Sequence, residues 1–341
     1  GARYHEDDVD RFQPTERYNQ VDGELILDRI VDPNASDNRL QTAEALALWI
    51  TDAWQVTDAL RLDVALRHER VDTREQRFAD TARTDLASSS ANDISIWLPG
   101  LAALYQINDQ WSLLAGVHRG FSPLGGGAKS WEKPETSVNY EFGVRYEGEV
   151  FAEVIGFYSD FANKGESCSN AYPCSNGATS GTFITGEALV AGIEAQVGTV
   201  FETGAVTWPL SVAYTFSRAE ARGETVSEGI RQGDTLASVP EHTFSLRLGA
   251  EIGARWDSYA VVKYTDSMCV EIGCNRDGSP YAETEGFFSV DVGARYAVTD
   301  RLSAFAKLEN ALDKRAIVSR QPDGARPNKP MTALVGVEWI F

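Results

Sequence analysis

The sequence predicts an all-β protein, an antiparallel transmembrane β-barrel of about 14 strands. Three observations predict it. Apolar and polar residues alternate with a period of two along most of the chain. The alternating runs are roughly 10 to 14 residues long, against about 5 or 6 for strands of globular proteins. The connections between them are short and long by turns, the pattern of short turns on one side of a membrane and long loops on the other.

Composition permits this class without requiring it. The 341 residues suffice for a sizeable barrel, and the charged fraction of 24% also suits an ordinary globular protein. Lys+Arg is 31 against 50 Asp+Glu, a net charge of -19, which argues against nucleic acid as a partner because phosphate binding needs a basic face. No run of about 18 apolar residues is present, so no transmembrane helix is predicted.

The runs justify themselves in chain order. Leu60, Leu62, Val64 and Leu66 share one face, with Arg61, Asp63, Ala65 and Arg67 on the other. Val138, Tyr140, Phe142, Val144 and Tyr146 oppose Asn139, Glu141, Gly143, Arg145 and Glu147. Phe244, Leu246 and Leu248 oppose Thr243, Ser245 and Arg247; Val290, Val292, Ala294 and Tyr296 oppose Ser289, Asp291 and Arg295. The last run sets Ala333, Val335, Val337, Trp339 and Phe341 against Leu334, Gly336, Glu338 and Ile340. A soluble sandwich also gives such alternation. It gives no reason for short and long connections to alternate over so many hairpins.

Short connections fall near Val56–Asp58, Asn108–Gln110, Glu147–Glu149, Glu202–Ala205, Gly253–Ala254 and Thr299–Arg301. Long ones are expected near 8–42, 72–92, 122–136, 164–181, 222–238, 271–284 and 313–330. Asp and Asn recur in the short turns, where their side chains bond nearby backbone N–H groups. Trp54, Trp111, Trp256, Tyr296, Trp339 and Phe341 lie near short-turn ends and suit an aromatic girdle at a membrane boundary. Tyr18 to Ile30 has room for a further extended hairpin inside the first long loop. The last strand follows a long loop, which places Phe341 on the short-turn, periplasmic side. The chain begins Gly1-Ala2-Arg3 with no initiator Met and no signal peptide. The expectation is a single domain, residues 1–341, that starts inside a longer protein.

Five stretches carry a resemblance. Val335-Gly336-Val337-Glu338-Trp339-Ile340-Phe341 resembles the C-terminal signal read by the outer-membrane barrel assembly machinery, with Val335, Val337, Trp339 and Phe341 as its apolar positions. Physically it is an edge strand offered for strand addition. Trp131-Glu132-Lys133-Pro134-Glu135 running into Asn139-Tyr140-Glu141-Phe142-Gly143, and Leu308-Glu309-Asn310-Ala311-Leu312-Asp313-Lys314, are similar to segments of TonB-dependent outer-membrane receptors. Within that family, Arg3-Tyr4-His5-Glu6-Asp7-Asp8 and the stretch from Ile317 to Pro330 resemble the ferric-dicitrate receptor group.

The resemblance implies a barrel of about 22 strands with a plug domain inside it. It also implies uptake of a ferric chelate energised through TonB, in the outer membrane of a Gram-negative bacterium. The plug, the TonB-contacting region and roughly eight strands are then not in this sequence, and transport belongs to the intact receptor. A sheet of this size, uncompleted, leaves two unpaired edges. The implied partners are a ferric chelate, outer-membrane lipid and lipopolysaccharide, the barrel assembly machinery, and TonB through the N-terminal region. No resident cofactor is expected; iron enters only as part of the cargo.

The loops hold the candidate chemistry. The four cysteines pair most simply as Cys168–Cys174 and Cys269–Cys274. Four cysteines allow three connectivities, and local pairs suit an oxidising cell surface. A metal site is the alternative, but the spacing is not that of zinc ligands and no His stands nearby. The loop 313–330 carries Lys314, Arg315, Arg320, Arg326 and Lys329 against Asp313 and Asp323, a net of +3. Loop 8–42 is about -4 by the same count. Arg315, Arg320, Arg326 and Lys329 are therefore the candidate contacts for an anionic chelate, since guanidinium forks grip carboxylates. Lipopolysaccharide phosphates are the competing use of the same charge.

Asp7-Asp8-Val9-Asp10 lacks the Gly and distal Glu of a calcium loop. Gly125-Gly126-Gly127-Ala128-Lys129-Ser130 lacks the spacing of a phosphate loop and reads as a flexible surface loop. No nucleophile elbow or HExxH motif is present, so no enzyme is predicted. Glu141, Arg145, Glu147, Arg247, Asp291 and Glu338 read as charge ladders inside the barrel. Two alternatives remain beside the receptor: a passive channel of about 14 strands for small or apolar solutes, and an outer-membrane hydrolase without motif support.

Overall fold

Long amphipathic strands connected as hairpins have one economical solution, a meander in which each strand pairs with its sequence neighbours. The computed structural model, which describes residues 1–168, 181–222, 230–277, 279, 281–321 and 324–341, has that form. Its main strands are β1 (Ala2–Phe12), β4 (Asn38–Thr57), β5 (Leu60–Phe78), β6 (Leu86–Gln106), β7 (Trp111–Ser122), β8 (Glu135–Glu147) and β9 (Val150–Cys168). They continue as β10 (Gly181–Thr203), β11 (Val206–Arg222), β12 (His242–Ile252), β13 (Trp256–Thr265), β14 (Phe287–Ala297), β15 (Leu302–Glu309) and β18 (Thr332–Trp339). These 14 strands form one antiparallel sheet in chain order, with β1 and β18 at the two ends of the order. Two hairpins lie outside it: β2 (Thr15–Val21) with β3 (Glu24–Val31), and β16 (Ile317–Ser319) with β17 (Arg326–Pro327). One helical turn, α1, spans Cys274–Asp277. No described helix is long and apolar enough to cross a membrane.

Register turns local alternation into a continuous surface. Trp54 pairs with Leu62, Leu62 with Ala103, Ala103 with Ala115 and Ala115 with Phe142. Farther on, Phe244 pairs with Tyr264, Tyr264 with Phe288, and Val292 with Leu308. The alternating apolar runs from Leu60, Val138, Phe244, Val290 and Ala333 all fall on this one face. Many of its large side chains are exposed, Phe142 at 62% and Val337 at 73%. Across so broad an area, such exposure marks a surface that meets something other than water.

Two aromatic belts bound that surface. Trp54, Tyr105, Trp111, Tyr146, Phe201, Trp208, Trp256, Tyr296 and Trp339 lie on it near the short turns. Cross-strand ring pairs join some of them, Trp111 with Tyr146 at 4.9 Å and Trp256 with Tyr296 at 6.2 Å. A second belt includes Trp97, Phe216, Tyr264 and Phe288, each eight residues along its strand from Tyr105, Trp208, Trp256 and Tyr296. Eight residues on a tilted strand rise on the order of 20 Å, close to the apolar band of a membrane barrel, about 25 Å tall. The girdle expected from Trp54, Trp111, Trp256, Tyr296 and Trp339 is thus one of two, and Phe341 stands just beyond β18.

Two expectations need correction. The strands are not uniform: β10 has 23 residues and β6 has 21, while β15 and β18 have 8 each. The arms of β5 and β6 keep pairing well past the apolar band, so the connection read as 72–92 shrinks to residues 79–85. Both faces of those arms are polar, and polarity on both faces imitates a loop in sequence. The hairpin inside the first long loop is present as β2 and β3.

The glycine-rich segment is the second correction. It is not a free surface loop but lies folded against the inner face of β4, β5 and β6. Asn92 Nδ2 donates to the carbonyls of Lys129 (2.7 Å) and Glu132 (3.1 Å), and Leu124 and Ala128 are buried. A Cβ on Gly127 would stand 3.1 Å from Glu75 Oε1, so the missing side chain is what permits the close approach. Val71, Ile94 and Ile96 form a small buried cluster on the same inner wall.

Candidate functional site

The inner face opposes the apolar one residue by residue, and it is the polar surface of the sheet. Arg145 pairs with Glu153 at 2.6 Å and with Glu147 at 4.0 Å; Lys263 pairs with Asp291 at 3.1 Å and Arg295 with Glu338 at 2.8 Å. Arg247 lies over the Tyr259 ring at 5.1 Å instead of meeting a carboxylate. These are the ladders expected of a wet channel wall.

At the long-loop end, buried side chains anchor the loops to the wall. Asn310 is 4% exposed and takes a left-handed φ of 48° at the end of β15. Its Nδ2 donates to the carbonyls of Lys314 (2.9 Å) and Lys329 (3.0 Å), tying both stems of the cationic loop together. Asp291 on β14 accepts its backbone N–H at 2.8 Å. Glu135 does similar work at the start of β8, accepting from Lys164 Nζ at 3.1 Å and from the Gly165 N–H at 3.3 Å. Asn38, wholly buried, donates to the Asp80 carbonyl (2.7 Å) and accepts from Arg83 Nε (2.8 Å). Arg83 continues to Asp10 on β1, so the short connection 79–85 is held across β4.

Within that connection the Asp80 carboxylate is held below the usual carboxylate range. The Asp85 N–H and the Thr84 hydroxyl and N–H all donate to it and favour its charged form. Tyr18, on the β2–β3 hairpin, is raised because its hydroxyl donates to the Glu16 carboxylate.

Three loops are chained side by side. In the β11–β12 loop Asp234 is 2% exposed and accepts from Arg276 Nε of the next loop at 2.6 Å. Gly273 N–H donates to the Thr235 carbonyl, and Ser238 N–H to the Cys269 carbonyl, each at 2.9 Å. Gly273 has a φ of +80°, and a Cβ there would crowd Asp234, so glycine fits on both counts. Cys269 and Cys274 are joined by a disulfide with Cα atoms 5.5 Å apart. Cys168 is also disulfide-bonded, while Cys174 lies outside the described residues. The chain then passes to the cationic loop: Glu285 N–H donates to the Ile317 carbonyl, and Ile317 N–H to the Glu285 carboxylate, both at 2.8 Å.

The four candidate cations of that loop occupy two places. Arg315 and Lys329 stand at the stem, Arg315 at 3.5 Å from Asp313 and Lys329 paired with Glu309. Arg326 belongs to the ribbon of β16 and β17, where it pairs with Ser319, and Arg320 directly follows β16. Arg320 Nε donates to the Glu283 carbonyl at 2.7 Å, and its guanidinium lies over the Tyr281 ring at 5.5 Å. Glu309 of β15 is shared between Lys329 and Lys307 of its own strand. Asp323 lies outside the described residues.

One cationic feature was not visible in the loop counts. Register places Arg11 of β1 beside Arg39 of β4, and Arg39 beside Arg77 of β5. All three lie on the inner face. Asp37 meets Arg11 at 2.7 Å; the nearly buried Glu75 lies 2.5 Å from Arg77 and 3.7 Å from Arg39. Arg39 and Arg77 lie equally far in sequence from the turn at Asp58, and that symmetry is the signal that could have found them.

The C-terminal strand presents Val335, Val337 and Trp339 on the outer face, at 77%, 73% and 56% exposure. It pairs with β15 from Leu302–Trp339 to Glu309–Thr332.

A family model described as TonB dependent receptor-like, beta-barrel matches residues 1–311. The chain belongs to this family. Among curated receptors, it is 26% identical over 288 residues to the ferripyoverdine receptor of Pseudomonas aeruginosa, covering 79% of this chain and 32% of that one. It is 21% identical over 305 residues to the pesticin receptor of Yersinia pestis, covering 83% and 41%. The receptor-family fold recurs in solved structures. The ferric-catecholate import receptor Fiu of E. coli K12 matches with a TM-score of 0.73, 20% identity and coverage of 94% of this chain and 47% of that chain. The ferric citrate transporter FecA matches at 0.70 and 20%, covering 99% and 50%. The chain thus spans half or less of the receptors it matches, and the ferric-dicitrate group is not singled out among them. Relatives of this kind are receptors and transporters, not enzymes.

Proposed function

We propose that this chain is the C-terminal barrel wall of a receptor in the outer membrane of a Gram-negative bacterium. The intact receptor imports a ferric chelate by active transport energised through TonB. The observation that carries the reading is the family match over residues 1–311, joined to a wall that is apolar outside and charge-paired inside. The outer face between the aromatic belts meets lipid, and its edge toward the long loops meets lipopolysaccharide. The cationic loop, with Arg315, Arg320, Arg326 and Lys329, contacts an anionic chelate of the ferric citrate or siderophore kind. TonB is reached through the N-terminal region of the intact receptor. The strand ending at Phe341 is the signal read by the assembly machinery.

The test is chelate uptake by iron-starved cells carrying the intact receptor, with and without a functional TonB. Uptake that disappears with TonB supports the reading. Equal uptake in both strains would contradict it and favour a passive pore. Within the same receptor, Arg320→Ala with Arg326→Ala is expected to weaken chelate binding by about tenfold, roughly one lost charged contact. Unchanged affinity would remove the loop from the site.

A further inference from the structure

We propose that the open edge of β6, from Ser88 to Ser95, takes an extended basic segment of an extracellular polypeptide by strand addition. This interaction surface goes beyond the uptake reading and does not depend on it.

The wall splits between β6 and β7. Their ladder runs from Gln106–Ser112 to Gly100–His118 and stops there. Pro99 comes next and has no N–H to continue it. β6 stays paired with β5 up to Leu86, while β7 goes on to Ser122 paired only with β8. Phe121 packs against Val71, Ile94 and Ile96, the inner cluster of β5 and β6, so the end of β7 passes inside the β6 arm. Arg119 Nη1 donates to the Trp97 carbonyl at 3.4 Å. The Trp97 backbone therefore faces the split. Backbone groups alternate sides along a strand, so those of Ser89, Ala91, Asp93 and Ser95 face it too. No described strand pairs with them on that side.

Unpaired N–H and C=O groups at the strand period are a template for another extended backbone. Edges are ordinarily protected by Lys, Pro or a bulge. The stretch from Ser88 to Ser95 reads Ser-Ser-Ser-Ala-Asn-Asp-Ile-Ser, with no Lys or Pro, and its register against β5 is unbroken. It lies beyond Trp97 of the upper aromatic belt, on the long-loop side, where water can reach an unpaired backbone.

Two features beside the edge narrow the occupant. On the outer face, register lines up Glu6, Glu44, Asp72 and Asp93 on four neighbouring strands. Arg70 answers Asp72 at 3.1 Å. Asp93 ends the row at the open edge, so a basic residue of an added strand would stand directly opposite it. On the inner face, Asn92 Nδ2 holds the turn Lys129–Glu132 against β6 through the carbonyls of Lys129 (2.7 Å) and Glu132 (3.1 Å). Trp131 in that turn is 72% exposed, with Lys129 Nζ 5.2 Å from its ring centroid. An added strand would thus find carboxylate on one face and an aromatic ring near the other.

The intact purified receptor in lipid nanodiscs tests this with a fluorescent peptide of alternating threonine and lysine, whose lysines all fall on one face. A control peptide of equal charge carries N-methyl groups on alternate residues and cannot pair. The parent peptide is expected to bind, and the control to bind about tenfold more weakly or less. In the free receptor the amides of Ser89, Ala91, Asp93 and Ser95 should exchange faster than those of Ser88, Ser90 and Asn92, which face β5; the peptide should slow them. Ala91→Pro removes one N–H of the open edge and is expected to weaken binding by about tenfold. The β5-facing amides should stay protected in that variant, which separates lost binding from lost fold. Asp93→Asn is expected to weaken binding several-fold. Equal binding of the N-methylated peptide, unchanged binding by Ala91→Pro, or edge amides already protected in the free receptor would overturn the proposal. Protection that grows with receptor concentration would give the edge to a second copy, and protection by added lipopolysaccharide would give it to saccharide; either contradicts a polypeptide partner.

Discussion

At the scale of single residues, a few buried polar side chains decide where the loops sit. Asn310 makes three hydrogen bonds to the two stems of the cationic loop. Asn310→Ala would leave the Lys314 N–H without its acceptor and the two carbonyls with Asn328 Nδ2 as their remaining side-chain donor, at a cost of about 1–3 kcal/mol. The expected result is faster hydrogen exchange at Lys314 and through residues 324–331, with β14 unchanged; equal exchange would refute the clamp. Asp80 makes a pH-dependent contact of the same kind. Its carboxyl is depressed in the folded chain, so its contribution is present above the ordinary carboxylate value, about 3.9, and is lost as pH falls through the folded value. The Thr84 and Asp85 amides should lose protection in acid below that range. Asp80→Asn should abolish this pH dependence.

At the scale of elements, the three chained loops should respond as one. Asp234→Ala removes the partner of Arg276, which is itself one-third exposed, so the expected loss is about 1–3 kcal/mol after solvent screening. Because the β13–β14 loop also carries Glu283 and Glu285, protease sensitivity should rise in the cationic loop as well. Cleavage confined to the β11–β12 loop would show that the loops are independent. The strand pattern itself was legible in the sequence because period-two alternation is a local property. The stripe from Val138 to Tyr146 needed no partner to be seen. Loop placement was not legible. The Gly125–Gly127 run carries no sign that Asn92 and Glu75, each more than thirty residues away, will hold it inward. Arg11, Arg39 and Arg77 become neighbours only through register. For Asn310, the motif was recognisable while its work, clamping two carbonyls from a left-handed turn, depended on the return of Lys329 from across the loop.

At the scale of the whole molecule, one sheet separates two solvents. The outer face between the belts is apolar and the inner face is charge-paired, and register keeps them in phase over all 14 strands. The C-terminal strand takes part in making this wall. Deleting Phe341, or Trp339→Ala with Phe341→Ala, should lower the amount of receptor assembled in the outer membrane without changing chelate affinity in what does assemble. Normal assembly would remove the signal reading. The central claim is the two-sided wall, and β14 tests it most directly. Spin labels placed one at a time from Phe288 to Tyr296 in the intact receptor, reconstituted in lipid, report access to oxygen and to a water-soluble nickel chelate. The expected result is oxygen access peaking at Phe288, Val290, Val292, Ala294 and Tyr296, with nickel access favoured at Ser289, Asp291, Gly293 and Arg295. A flat profile, or the opposite phase, would contradict a membrane barrel of this register.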